Sequence, residues 1–304
     1  MKKTTTLLAA ITATLLGLAA AVQASPYSNA VLADNPVAYW QFEEATTASP
    51  AVDSGSNATI TNGTYNNVNL VPNLYEGGTL GQAVQFTTPN SSNIDFGAPS
   101  AGDLAQLVAM RACCGGPELN KTTSVEFWMN STQAGHGNNW RAPLVFGEES
   151  PGDGDIQWGW IDDNPAGTIG VAANDISVNL GHSSTSVTDG QWHHIVLTMD
   201  WGIRTQKVYV DGVLEADDVI GGGNDLLQDN EGRIRYMGWD QRSDQPATWV
   251  GMLDEVAIYD KILTDQDALD HFNAAFIPEP SSIVLLLLGL IGAASCRWRR
   301  RRVA

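Results

Sequence analysis

Residues 124–130 read Ser-Val-Glu-Phe-Trp-Met-Asn, and this stretch indicates the fold class. Val125, Phe127 and Met129 fall on one side of an extended chain, whereas the polar residues, Glu126 among them, fall on the other. Alternation with a period of two is typical of a strand that has one buried face and one solvated face. The stretch is therefore predicted to be a half-buried β-strand.

Other strand-like runs lie on either side of this one and are separated by Gly, Asn, Asp and Pro. They are residues 37–42, 81–86, 143–146, 156–161, 168–171, 176–179, 192–200, 205–210, 234–238 and 249–259. Asp211-Gly212 is a strong hairpin signal. Strands without alternating helices predict an all-β protein, an antiparallel two-sheet β-sandwich, in which residues 88–122 form a long inserted loop. Thr264 and Asp267 form a capping pattern, which predicts one short C-terminal helix.

The first 24 residues carry the pattern of a secretory signal peptide. Two lysines are followed by an apolar run and by the small-x-small sequence Val22-Gln23-Ala24. The mature chain is expected to begin near Ser25, outside the cytoplasm.

The last segment, residues 277–304, has three parts. Pro278-Glu279-Pro280 is followed by an apolar run over 283–296 and by a cluster of arginines. As a helix the run is roughly 21 Å long, against about 30 Å for the hydrocarbon core of a bilayer. It is therefore a minimal transmembrane helix, and the arginines hold its C-terminal end on the cytoplasmic side.

The body between these ends, residues 25–276, is predicted to be one acidic domain. Without the two N-terminal lysines and the five C-terminal arginines, nine basic residues face 34 acids. Such a charge repels phosphate backbones, so nucleic acid is excluded as a partner.

Seven fragments along the body, taken in order, resemble a LamG-like, concanavalin A-like lectin jelly roll. They are residues 38–44, 53–55, 81–86, 124–128, 190–196, 208–212 and 251–259. The tail likewise resembles the PEP-CTERM sorting signal of Gram-negative bacteria, with the signature tripeptide at Pro278, Glu279 and Pro280. That resemblance implies cleavage by an exosortase, a membrane-embedded transpeptidase. An uncut tail anchor is the alternative.

The resemblance also implies a structural calcium ion. Glu44, Asp53 and Asp254 occupy positions where LamG-like domains commonly carry calcium-binding acids, with carbonyl groups from the region of Asn57. Calcium takes six to eight oxygen ligands, and the polar turn at 53–57 is able to aim several oxygens at one point. The alternative is an Asx-turn with solvated acids at the strand ends.

Tryptophans among polar neighbours are candidate sugar-binding residues, because saccharides stack their C–H faces on aromatic rings. The candidates are Trp140, Trp158, Trp160, Trp239 and Trp249. Trp158 and Trp160 are expected to share one face of a strand. The alternative is burial in the core, which the resemblance implies for Trp40, Trp128 and Trp192.

The sequence lacks the patterns of known catalytic sites. Related glycosidases carry two carboxylates on one strand in the order Glu-x-Asp-x-x-Glu, and this chain has no such string. Asp254 and Glu255 are adjacent, as are His193 and His194, so each pair is expected to diverge across a strand. We therefore predict no catalytic residues and no enzyme activity.

The cysteines leave several readings open. Cys113 and Cys114 are adjacent and are predicted to lie in an oxidising compartment. They are expected to form a vicinal disulfide, to stay free or to crosslink to another molecule. Cys296, beside the arginines, is either lipidated or incidental.

Together these patterns predict an exported protein of the cell surface or extracellular matrix that binds a polysaccharide or other glycan without catalysis. The tail is expected to anchor the chain in the membrane transiently. One alternative is a calcium-stabilised structural surface protein without a ligand. The other is a polysaccharide-degrading enzyme.

Overall fold

The computed structural model describes residues 25–56, 62–73, 81–89, 91–97, 122–135, 143–148, 156–173, 181–200, 203, 205–219, 235–239 and 248–277. Within these ranges the chain forms fourteen strands and two helices. The predicted leader, the sorting segment, the strand at 176–179 and all three cysteines lie outside the described residues. Neither described helix is long and apolar enough to cross a membrane.

Eight strands make the first sheet. Their bounds are β1 Ala38–Trp40, β3 Val68–Pro72, β4 Gln82–Phe86, β6 Thr122–Asn130, β10 Trp192–Asp200, β11 Thr205–Val210, β12 Val213–Val219 and β14 Gly251–Tyr259. The order across the sheet is β12-β11-β10-β6-β14-β4-β3, and β1 also pairs with β14. All pairings are antiparallel, as the sequence predicts.

Six strands make the second sheet. Their bounds are β2 Thr64–Asn66, β5 Asn93–Asp95, β7 Phe146–Glu148, β8 Ile156–Asp163, β9 Ala166–Ala173 and β13 Tyr236–Met237. They follow the order β2-β5-β13-β7-β8-β9. The predicted inserted loop at 88–122 contains a strand that was not predicted, β5. A strand of three residues is too short to show alternation.

The main core lies between the two sheets. It is formed by large side chains from the inner faces of both, which are completely or almost completely buried. They include Trp40, Phe127, Phe146, Trp158 and Trp249. The two-sheet sandwich predicted from the sequence is therefore confirmed.

Two helices cover the outer face of the eight-stranded sheet, and we call them the helical layer. Helix α1 spans Pro26–Ala33 and helix α2 spans Asp265–Ala274. The predicted cap of α2 is confirmed, since Thr264 and Asp267 form a capping box. Helix α1 was not predicted, because eight residues beside a leader sequence give no extended helical period. It is held by packing and by Ser25, which caps its first turn.

The helical layer overturns the prediction that residues 124–130 form a half-buried strand. In β6 every residue from Thr123 to Met129 is buried. One face of β6 packs into the main core, and the other lies under the helices, where Trp128 packs with Tyr27 of α1. The polar residues of the alternation therefore face a second interior and not water.

Glu126 is a buried carboxylate at the centre of this second interior. It accepts hydrogen bonds from four elements, namely Tyr27 Oη at 2.9 Å, His194 Nε2 at 2.7 Å, Tyr259 Oη at 2.6 Å and His271 Nδ1 at 3.0 Å. His271 Nε2 lies 3.0 Å from Asp34 Oδ2, at the end of α1. The carboxylate therefore joins both helices to two strands of the sheet.

The electrostatics of the cluster depend on His271. Burial opposes its charge, but the negative charge of Glu126 and the hydrogen bonds to Glu126 and Asp34 raise the pKa of His271 from 6.5 to about 9. Burial likewise works to raise the pKa of Glu126, yet His271 and His194 together lower it well below its usual range. Glu126 and His271 thus form a buried ion pair.

Replacing His271 with Gln is expected to destabilise the fold in a pH-dependent way. The pKa of His271 is higher in the folded state than in the unfolded state, so its charge stabilises the fold. This stabilisation is complete below about pH 6.5 and is lost as the pH rises through about 9. The difference in unfolding free energy between wild type and His271→Gln should therefore be about 3 kcal/mol or more at pH 6 and should shrink towards pH 9.

Urea unfolding between pH 6 and pH 9 measures this difference. His182→Gln is the matched control, because His182 is partly exposed and lies 3.7 Å from Asp162 outside the helical layer. A constant difference across the range would contradict the assignment of the charged state to His271.

Candidate functional site

The outer face of the six-stranded sheet lies on the side away from the helical layer. On this face Trp160 of β8 and Thr168 of β9 are buried, whereas the strands β2, β5 and β13 keep partly or fully exposed side chains. Ile94 and Met237 are fully buried in the main core. Their strand neighbours Asp95 and Tyr236 therefore point outward, because side chains alternate along a strand. Thr64, Asp95 and Tyr236 lie opposite one another across β2, β5 and β13, so they form one row on this face.

Trp239 lies beside Tyr236, and the local backbone explains why. In a regular strand residues 236 and 239 would fall on opposite faces. Gly238, with φ of +83°, breaks the alternation. The two half-buried rings consequently lie with their centroids 4.9 Å apart at an angle of 48°.

Arg235 and Asp95 border the ring pair. The guanidinium Nε and Nη2 donate to the two carboxylate oxygens of Asp95, each at 2.5 Å, and the guanidinium carbon lies 4.9 Å from the centre of the Tyr236 ring. Burial opposes ionisation of Asp95, but the hydrogen bonds from Arg235 and from the backbone N–H of Gly97 lower its pKa. Asp95 is therefore a carboxylate that accepts hydrogen bonds and not a proton donor.

This arrangement suits a saccharide. The two rings offer an apolar surface for C–H groups, and the charged pair at its edge offers donors and acceptors for hydroxyls. We call Tyr236, Trp239, Arg235 and Asp95 the ring-pair site. Trp239 was the member found from the sequence. Asp95 was missed because β5 is short, and no sequence pattern marked Arg235 or Tyr236.

The other predicted tryptophan platforms are not available at the surface. Trp158 and Trp249 are 0% exposed and Trp160 is 2% exposed, so these three predictions are corrected, since a buried ring has no face for a ligand. Trp140 lies outside the described residues. The expectation that Trp158 and Trp160 share a strand face is also wrong. A bulge at Gly159, with φ of +71°, places Trp158 opposite Val171 and Trp160 opposite the next residue, Gly170.

The three predicted calcium ligands hold parts of the protein in place. Glu44 accepts hydrogen bonds from the Val52 N–H at 2.7 Å and from Tyr65 Oη at 2.6 Å. Asp53 Oδ1 accepts the backbone N–H groups of Tyr39 and Gly55, both at 2.8 Å. The third acid, Asp254, accepts 2.7 Å from the Asn73 amide. Each carboxylate thus has protein donors.

The fit of this donor set to calcium is poor. Calcium needs six to eight oxygens directed at one point. Among the residues that the structure describes, no three acidic, histidine or cysteine side chains come together as a metal-binding group. The carbonyls expected near Asn57 lie outside those residues. Calcium binding stays a prediction.

The adjacent acids and the adjacent histidines diverge, as the sequence predicts. Asp254 contacts Asn73, whereas Glu255 accepts from the hydroxyls of Tyr39 and Ser28 under the helical layer. Burial raises the pKa of Glu255 to about 8, but the side chain lies beneath α1 without access for a substrate. His193 contacts Asp211 at 2.9 Å, whereas His194 contacts Glu126.

Comparison with protein families identifies the fold. The family model described as the concanavalin A-like lectin/glucanases superfamily matches residues 112–268, which is just over half of the chain. The chain belongs to this superfamily. Residues 276–301 match the PEP-CTERM protein-sorting motif, so the interpretation of the tail is also confirmed.

Solved structures with a similar fold include a domain of an arabinanase and a sialidase. Domain 4 of AbnA, an extracellular GH43 arabinanase from Geobacillus stearothermophilus solved with arabinotriose, is 18% identical with a TM-score of 0.51, over 78% of this chain and 98% of that domain. A Trypanosoma rangeli sialidase mutant with trans-sialidase activity is 17% identical with a TM-score of 0.52, over 85% of this chain and 37% of the sialidase. At these identities the likeness shows the fold alone. No curated protein sequence matches the chain.

Replacing Gly238 with Ala is expected to disrupt the ring-pair site and to lower the free energy of unfolding of the domain. A Cβ at this position would meet Phe86 Cε1 at 2.6 Å and would also be strained by the positive φ. We expect a loss of about 2 kcal/mol or more in urea unfolding, together with a changed near-ultraviolet circular dichroism spectrum.

Gly97→Ala is the matched control. Gly97 has φ of +91°, but a Cβ there meets nothing within 4 Å, so only backbone strain of about 1 kcal/mol is expected. Equal losses for the two variants would show that the contact with Phe86 does not matter.

Proposed function

We propose that the protein binds carbohydrate at the cell surface or in the extracellular matrix, without catalysis, through the ring-pair site. The superfamily domain and the sorting motif indicate an exported surface protein, and the sorting motif indicates processing by an exosortase. One observation supports the proposal that the ligand is a glycan. Tyr236 and Trp239 are half-buried, have ring centroids 4.9 Å apart and lie on the outer face of the six-stranded sheet beside a paired Arg235 and Asp95.

The position of the rings favours ligand binding over core packing. Trp40, Trp128, Trp158, Trp160 and Trp249 are buried, as packing residues of a sandwich are. Trp239, by contrast, keeps part of its ring accessible at a glycine-dependent break in β-alternation. Large amphipathic rings held in this way are the residues that most often dominate binding energy.

The solved structure of the arabinanase domain gives this proposal a precedent. That domain has a similar fold and is seen in complex with arabinotriose. A sandwich of this kind is therefore able to hold a neutral oligosaccharide in another protein, although the site in this chain is argued from its own residues.

The absence of catalysis is proposed from the carboxylates. Glycoside hydrolysis needs two, and one must act as an acid with a raised pKa. Asp95, the carboxylate in the ring-pair site, has a lowered pKa and is bound to Arg235. Burial raises the pKa values of Glu43, Asp53, Asp254 and Glu255, and none of these four residues belongs to the ring-pair site. Glu255 is buried on the opposite side of the molecule, under the helical layer.

Replacing Trp239 with Ala should weaken glycan binding with little effect on the fold. Loss of a central ring contact is worth about 2 kcal/mol, or roughly a thirtyfold rise in Kd. A glycan array followed by titration calorimetry on the purified full chain in mild detergent measures this change.

Phe276→Ala is the control, because Phe276 is 40% exposed and its ring packs against Phe272 of α2, away from the ring-pair site. If the wild type binds no glycan, either with calcium or with chelator, the proposal is contradicted and a structural surface protein without a ligand is favoured. Release of sugar from a polysaccharide would instead favour an enzyme.

The tail is proposed to be cut at or near Pro278-Glu279-Pro280. Deleting residues 277–304 should send soluble protein to the medium. Replacing the three tripeptide residues with Ala should leave an uncut chain in the membrane, as judged by its mass in immunoblots. Normal processing of the alanine variant would contradict the assignment of the tripeptide.

A further inference from the structure

The cation of the ring-pair site is already paired. Arg235 uses Nε and Nη2 to bind both oxygens of Asp95 in a planar, bidentate arrangement. Its guanidinium also lies over the Tyr236 ring. An anionic ligand would have to displace Asp95 from this arrangement or approach the carboxylate directly, and both are unfavourable.

The sequence on either side of β13 and Trp239 is acidic. Segments 220–234 and 240–247 flank β13 and Trp239 in the sequence, and they hold more acids than arginines. The acids are Asp225, Asp229, Glu231, Asp240 and Asp244, and the arginines are Arg233 and Arg242. The whole chain carries a formal charge of −18. The net charge of the chain therefore repels anionic polymers.

We propose that the ligand of the ring-pair site is a neutral glycan, and that uronate-containing or sulfated polysaccharides are rejected. This inference rests on the proposed function and narrows it to one chemical class. A pentose or hexose ring stacks its C–H groups on Trp239 and Tyr236. Its hydroxyls donate to Asp95 and accept from the N–H groups of Arg235 that Asp95 leaves unused.

A matched pair of polymers tests this choice. Polygalacturonate and its carboxyl-reduced form, a neutral galactan, differ in charge but share their linkage, and neutral arabinan and dextran extend the neutral set. We expect the wild-type chain to bind at least one neutral polymer in affinity electrophoresis, with at least tenfold preference over polygalacturonate. That binding should be lost in Trp239→Ala and should change little between 50 mM and 500 mM salt, because no ion pair forms.

Asp95→Asn provides a second, independent variant. The amide keeps the shape of the carboxylate but removes its charge, which frees Arg235 to pair with a carboxylate on the ligand. Binding of polygalacturonate should strengthen about fivefold or more and should become sensitive to salt. Val219→Ala, a change at a 77% exposed position on β12, is the control.

The outcomes separate the two levels of the argument. Trp239-dependent binding of polygalacturonate by the wild type, as tight as that of the neutral polymers, would overturn the neutral-glycan inference and leave the proposed function standing. Binding of neither class would overturn the proposed function and the inference with it. If Asp95→Asn does not fold, the comparison of the two polymers on the wild type still decides.

Discussion

The carboxylate of Glu126 is buried in the middle of the central strand of the larger sheet, and such a charge is costly unless donors surround it. Four elements supply those donors, through Tyr27, His194, Tyr259 and His271. Both helices must therefore close over the sheet for the carboxylate to be satisfied. The second helix ends at Ala274, just before the residues that match the sorting motif, so the same cluster also holds the helix that leads into that motif.

Because the helices pack on one outer face of the sandwich, the two outer faces differ in structure. The face under the helices is a second core, with Trp128 and Glu126 inside it, and α2 leads into the sorting motif at 276–301. On the opposite sheet, Asp95 and Tyr236 lie in one row and are partly exposed beside Trp239. A protein tethered through its helices is thus able to present the ring-pair site to its surroundings.

Long strands were predictable from sequence and local exceptions were not. Strands β10 and β11 begin and end where alternation predicted, and the Asp211-Gly212 turn and the Thr264 cap carry their own local signals. Burial of Glu126 was missed because its donors come from sequence positions 27, 194, 259 and 271, far from residue 126. The wrong expectation that Trp158 and Trp160 share a strand face and the missed ring pair have one cause. Positive φ at Gly159 and Gly238 reverses which face the next side chain takes, and simple alternation does not reveal it.

We propose that the ring-pair site binds sugar while the helical layer is structural. The most direct measurement is an indole ¹⁵N–¹H spectrum of the protein, which has ten tryptophans, during titration with a neutral oligosaccharide. The account predicts that the Trp239 resonance, assigned by the Trp239→Ala variant, moves in a saturable way while that of Trp128 stays fixed. A shift of Trp128 with Trp239 unmoved would contradict it.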